Sequence, residues 1–466
     1  MPVDWIQRAV AAPYFVTERG RAWTPIGQND AFTWPELNAL RGRRDLAAVE
    51  RHLRYLKASG VSCLRLMLEY CHFDDAYFET AIGVFEPKLV QLWDDLFSLC
   101  ETVGLRLLLT PLDTFFTWNR WDRHPYNRAN GGPCASREEL LSCPRTRDAV
   151  KARLAFATER WGGSGVLFAW DLWNEMHPAQ GRNSPNCFAE FIDDVAPFMR
   201  SLETRLHGRA HLQCVSVFGP ELGWKPWLNQ PIFRHPALDF ACSHLYEQGT
   251  IDDPRDTVAA AISTGRLVRE AIAEITDDRP FFDSEHGPIH TFKDHYWTLP
   301  EAFDDEYFRH MQWAHFASGG AGGGMRWPNR KPHMLTAGMR RAQKALCGFL
   351  PLIRWESFRR RNLNQEIATG DPNIAAFGCG DAKQAVIWLL RRAPLALDGR
   401  VDATVETPVI VRVPGLSPGS YAVTAWDTGA GRVVREMRVS VAADGEVLTL
   451  PGLAIRADLA LAIRAH

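Results

Sequence analysis

The chain has 466 residues, 46% of them hydrophobic, and a formal net charge of -2; this length predicts two or three domains and a large core. No Lys/Arg block gives the electrostatic footprint of a nucleic-acid or membrane-surface partner, and no window approaches the about 18 consecutive apolar residues of a membrane span. Met1 to Arg8 lacks the basic region and apolar core of a secretory signal, which predicts a cytoplasmic chain acting on a small or neutral partner.

Taken in order, Tyr14–Thr17 and Arg19–Asn29 read as a short hairpin leading into a first strand. Leu46, Val49, Leu53 and Leu56 have helical spacing over 46–59, and the helix ends at Gly60 before a strand over Val61–Leu68. Arg65 lies inside that strand, and a buried guanidinium needs a partner. It is a candidate to orient a carboxylate, or to pair structurally with Glu69 or Asp113. A helix over Pro87–Val103 and a strand over Leu105–Pro111 follow, then a polar and aromatic loop from Asp113 to Trp121 that carries Trp118 and Asn119. Such loops at the carboxyl ends of strands contact substrates.

A helix over Ser136–Trp161, broken near Pro144, returns to the apolar run Phe168–Trp173, which stops abruptly at Asn174-Glu175. The run reads as a strand covered on both faces that delivers an amide and a carboxylate to a cleft, or caps the next helix. Next come a helix over Cys187–Leu206, a strand over Leu212–Phe218, a loop with Glu221, Trp224 and Trp227, and a strand over Leu238–Tyr246 bearing His244 and Tyr246. A helix over Arg255–Ile275 precedes a second apolar strand, Arg279–Gly287, that stops at a carboxylate, Glu285. A helix over Asp305–Ala317, a Gly-rich run from Gly319 into Trp327 and Pro328, and a helix over Leu335–Leu350 complete the alternation. The Gly run lacks the lysine and hydroxyl of a phosphate loop and fits a close backbone approach to a ligand or a neighbouring strand.

Eight strands counted from Trp23 alternate with about eight helices, so the α/β fold expected over 1–352 is a (β/α)8 barrel whose bottom the opening hairpin seals. Short strands and turns such as Pro418-Gly419 and Asp444-Gly445 predict a C-terminal antiparallel β-sandwich over 353–466 with a packing role. The ten cysteines are scattered, with no zinc-like spacing, and read as reduced thiols. No metal or organic cofactor is expected. The seventeen Trp residues are a heavy load; Trp118, Trp121, Trp224, Trp227 and Trp297 lie in loops that would shape a sugar cleft, because the C–H face of a pyranose is apolar.

Two carboxylates at the ends of core strands suit glycosidic-bond hydrolysis, in which one protonates the leaving oxygen and the other attacks the anomeric carbon. Asp113, Asp171 and Asp283 are rival carboxylates, the last two reading as buried and paired. With Trp173-Asn174-Glu175 at strand four, His244-Leu245-Tyr246 at strand six, Glu285 at strand seven, Arg65 at strand two and Trp327 at strand eight, residues 14–350 resemble glycoside hydrolase clan A. Within the clan the resemblance is to family five, the cellulase and mannanase family.

The resemblance implies a retaining mechanism with Glu175 as acid/base, Glu285 as nucleophile and Asn174 as donor to the sugar 2-hydroxyl. It also implies that Arg65 and Tyr246 lower the pKa of Glu285, and that His244 and Trp327 line the sugar subsite. Packing remains the alternative for Trp327, and a satisfied strand-end group for His244 and Tyr246. The strand-three segment and the Gly run match no particular cellulase or mannanase pattern. The expected substrate is a β-linked oligosaccharide or glycoside, cleaved in exo fashion as by a β-glucosidase or β-mannosidase. Endo-acting glucanase or mannanase, transglycosylase and a catalytically silent sugar-binding barrel are the alternatives, and monomer and homo-oligomer both stay open.

Overall fold

The structure is a computed structural model that describes residues 3–42, 44–69, 77–289 and 298–466; Trp297 and Cys71 lie outside them. Eight parallel strands form its centre: β1 Gly27–Asn29, β2 Cys63–Met67, β3 Arg106–Thr110, β4 Leu167–Asp171, β5 Leu212–Cys214, β6 Ala241–Leu245, β7 Phe281–His286 and β8 Met325–Arg326. They pair in the order β5-β4-β3-β2-β1-β8-β7-β6. Between β5 and β6 the ladder closes through Asp239 N donating to Gln213 O (2.9 Å) and His244 N donating to Val217 O (2.9 Å). The expected (β/α)8 barrel is therefore present.

The long outer helices are α1 Leu46–Ala58, α2 Pro87–Val103, α3 Pro144–Trp161, α4 Cys187–His207, α5 Thr257–Glu274, α6 Glu301–Ala317 and α7 Ala337–Phe349. Asp45 caps α1 by accepting from Ala48 N, and Pro87 and Pro144 open α2 and α3, where no backbone N–H is needed. Two short helices, Gly219–Trp224 and Asn229–Phe233, fill the slot between β5 and β6. The Asp113–Trp121 segment, expected to be a loop, contains the helix Thr114–Asn119, because the Asp113 carboxylate accepts from Phe115 N and caps it.

The opening residues form a three-stranded antiparallel sheet, Ile6–Arg8, Phe15–Thr17 and Ala22–Trp23. Phe15 meets Phe168 and Phe240 edge-on at 5.0 and 5.5 Å at the amino-terminal ends of β4 and β6, so this sheet closes the barrel bottom with apolar surface. The Gly run approaches neighbours and not an open cleft: a Cβ on Gly322 (φ +140) would stand 2.4 Å from Pro25 O.

The C-terminal strands are β9 Arg361–Asn362, β10 Ile374–Gly380, β11 Gln384–Arg391, β12 Thr407–Val413, β13 Gly419–Asp427, β14 Arg432–Val441, β15 Leu448–Ile455 and β16 Asp458–Ala465. One antiparallel sheet runs β9-β10-β11-β16-β13-β14, and β12 pairs with β15 to cover it. Pro451-Gly452 interrupts the apolar alternation of β15. In the fold a register shift between Val409 and Val411 of β12 accommodates that dipeptide. The outer face of the larger sheet, including Phe377, Val386 and Trp388, packs on Trp313 and Phe316 of α6 and on Phe349. Buried Asp458 of β16 accepts from Arg309 of α6 (2.9 Å) and from Trp388 Nε1 (3.0 Å), which ties sandwich to barrel.

Candidate active site

Arg65 organises the carboxyl ends of the strands. Its side chain is fully buried on β2, where the strand alternation points it into the barrel. Nη1 donates to Asn29 Oδ1 (2.8 Å) and to Glu285 Oε2 (2.9 Å), while Nη2 donates to Asp171 Oδ2 (2.9 Å) and to Asn174 Oδ1. One guanidinium thus cross-links β1, β4 and β7 around the pocket. Neither structural alternative, Glu69 or Asp113, is its ion-pair partner; Glu69 pairs with Arg153. Asp171 is buried and paired as expected, and also accepts from Ser216 Oγ (2.8 Å). Asp283 accepts from Leu245 N (3.2 Å) and pairs with His286 Nδ1 (2.7 Å).

Glu285 is 8% exposed. Tyr246 donates its hydroxyl to Oε1 at 2.8 Å, and Arg65 holds Oε2. The sequence led us to expect a carboxyl pKa lowered by these two donors; instead it is raised. Burial outweighs the opposing influence of His244, Arg65 and Tyr246, and the nearby Glu175 charge adds to burial.

Glu175 follows β4 in the left-handed region, φ +46, a backbone state that costs a non-glycine residue about 1–2 kcal/mol. Its N–H donates to Ser216 Oγ (3.2 Å), and Oε1 meets His244 Nδ1 at 2.8 Å. Burial pushes its pKa up to about 7; Arg65 opposes this, and the charges of Asp171 and Glu221 reinforce it. The side chain remains 26% exposed, more open than Glu285 at 11%.

His244 does not line an open subsite. It is wholly buried beneath the two glutamates, with Nε2 3.1 Å from Ser284 Oγ and Nδ1 3.7 Å from Glu285 Oε2. Burial lowers its pKa to about 4, so the ring is neutral at pH 7. A single proton on Nδ1 gives the Glu175 carboxylate a donor and leaves Nε2 to accept from Ser284.

Asn174 places its carbonyl on Arg65 and donates Nδ2 to Asp113 Oδ1 (2.6 Å), with a second N–H remaining for a ligand. Asp113 is 2% exposed, its Oδ2 has no hydrogen-bond partner, and burial pushes its pKa up to about 7. Trp118 stands edge-on to His177 at 4.4 Å, and His177 Nε2 lies 3.1 Å from Glu221 Oε1, a carboxylate whose charge reaches Glu175. Asn119 is exposed, and among the described residues no hydrogen bond ties it to the carboxylates. Trp327 is 6% exposed and packs with Ala31, Trp34 and Met67 at the ends of β1 and β2.

Sequence reasoning missed Asn29, Ser216, His177 and Glu221. Asn29 ends a three-residue strand too short to show periodicity, and Ser216 is one small hydroxyl in an apolar run. Glu221 lies in a segment whose sequence pattern is dominated by Trp224 and Trp227.

A Glu175 oxygen, a Glu285 oxygen and a His244 ring nitrogen all lie within 4.8 Å of one another. A cation fits poorly there, because both Glu285 oxygens and both His244 nitrogens already have protein partners. Paired carboxyl groups so close, one of them pushed up to about 7, can divide acid and nucleophile roles.

A (β/α)8 barrel carrying one glutamate after β4 and another on β7 has the architecture expected from the resemblance to clan A. Among solved structures the chain resembles a family 5 glycoside hydrolase from Bacteroides vulgatus ATCC 8482, with TM-score 0.65 and 12% identity over 99% of this chain and 94% of that one. It also resembles a protein described as a glycoside hydrolase, with TM-score 0.62 and 13% identity over 99% and 97%. An endo-1,4-β-D-mannanase from Thermotoga petrophila RKU-1 shares TM-score 0.52 and 15% identity over 70% and 99%. No family model matches the sequence, and no curated protein matches it. What the chain shares with the first two is the fold over nearly its whole length, and with the mannanase the fold over 70% of it.

Proposed function

We propose that the protein is a retaining β-glycoside hydrolase in which Glu285 is the nucleophile and Glu175 the acid/base. The proximity of the two carboxyl groups carries this reading: an oxygen of each comes within 4.8 Å of the other, compatible with the about 5–5.5 Å between the carboxyl groups of retaining enzymes. Arg65 and Tyr246 aim Glu285 at the anomeric carbon and stabilise its charge. Glu175, at about 7, is protonated often enough near neutrality to give its proton to the leaving oxygen. Water then enters on the same face, Glu175 takes its proton, and the glycosyl ester to Glu285 breaks. In this reading the second N–H of Asn174 meets the 2-hydroxyl, and Asp113 holds that amide in orientation.

Exo action on short β-linked oligosaccharides or glycosides is the form of the reaction we propose, with β-mannosides and β-glucosides as first substrates; mannan-active neighbours share the fold. The test is proton NMR of products from aryl β-mannoside, β-glucoside, β-galactoside and β-xyloside, beside polymeric mannan and glucan. First release of the β-anomer supports retention, and release of single sugars from chain ends supports exo action. Release of the α-anomer overturns the mechanism, and mid-chain cleavage of polymer overturns the exo reading alone.

A further inference from the structure

Asn29 points into the barrel to hold Arg65, so its neighbours Gln28 and Asp30 point outward, toward the helices. Gln28 Oε1 accepts from Arg340 of α7 (2.8 Å). Asp30 is 4% exposed, and its Oδ2 is buried with no hydrogen-bond partner. Glu36, in the following loop, and His52, on α1, complete a group in which one ligand atom of each residue lies within 4.8 Å of the others.

These atoms do not satisfy one another. His52 Nε2 is buried without a hydrogen-bond partner and stands 3.7 Å from Glu36 Oε2, too far to share a proton. Arg340 is anchored on Gln28 and on Gln343 (3.1 Å), and reaches only the other Glu36 oxygen, at 3.3 Å. Unlike the glutamates of the barrel mouth, the facing atoms here lack donors.

We infer that Asp30, Glu36 and His52 form a binding site for a divalent transition-metal cation of the zinc type, one that clips the end of β1 to α1. Two carboxylate oxygens and an imidazole nitrogen suit zinc, whereas calcium and magnesium prefer oxygen alone. Bonds of about 2 Å to one ion place ligand atoms roughly 3–4 Å apart, within small side-chain rotations of the spacing present. The His52 side chain is 16% exposed, so the group lies near the surface.

The experiment strips the full chain with EDTA, adds Zn2+ and measures uptake by calorimetry and elemental analysis. One Zn2+ per chain at pH 7.5 is expected, with affinity reduced at least about tenfold in His52→Gln and Asp30→Asn and unchanged in Glu285→Gln. His52 is the more exposed ligand, so its variant serves if Asp30→Asn unfolds. Absence of zinc uptake, full affinity in His52→Gln, or loss confined to Glu285→Gln overturns the assignment.

Discussion

Glu175→Gln separates the chemistry of this side chain from its electrostatic cost. Burial takes Glu175 from 4.5 to about 7, and at ~1.4 kcal/mol per pKa unit its charge costs the folded chain at most about 3 kcal/mol. A raised pKa means that the folded state holds the proton more tightly than the unfolded one. The stability gained is complete below about pH 4.5 and is lost as pH rises through about 7. Glutamine carries no charge and still accepts from His244, so urea unfolding shows a variant up to about 3 kcal/mol more stable than the native chain at pH 8 and nearly equal to it at pH 4.5. Over the same substitution, turnover of glycosides with poor leaving groups falls about 10²–10⁴-fold. Activated aryl glycosides still form the glycosyl-enzyme, and azide releases it as the β-glycosyl azide. Destabilisation at pH 8, or equal loss on activated and unactivated substrates, refutes the reasoning.

Tyr246→Phe removes one charged hydrogen bond from Glu285 while leaving the ring in place. The expected loss is about 1.5–3 kcal/mol of transition-state stabilisation, roughly 10- to 150-fold in kcat/KM, with the acid limb of the pH profile moved upward because Glu285 loses a donor that lowers its pKa. Glu221→Gln removes a like charge that raises the pKa of Glu175, so the alkaline limb of kcat/KM moves to lower pH; a move to higher pH contradicts the site's electrostatics. Arg65→Met leaves Asp171 and Glu285 without their shared guanidinium and costs about 3–5 kcal/mol in urea unfolding at pH 7, an effect that shrinks at pH 4 as Glu285, whose pKa is raised, takes up a proton.

Periodicity and strand-end chemistry determined much of this protein before any coordinates. Alternating helix and strand patterns between Trp23 and Leu350 specify the barrel because each parallel strand must be covered on both faces. Apolar runs that stop at Glu175 and Glu285 mark where buried strands reach a cleft. An arginine within an apolar strand announces a buried pair. Tertiary structure decided who pairs with whom and with what net effect. Arg65 meets Asp171 and Glu285, which lie more than a hundred positions away in the chain, and local pattern carries no record of such contacts. His244 is recruited beneath the carboxylates, and Glu285 is raised where two donors alone would lower it. Desolvation depends on how completely a side chain is enclosed, and enclosure is a property of the closed barrel and not of the residue's neighbours in sequence.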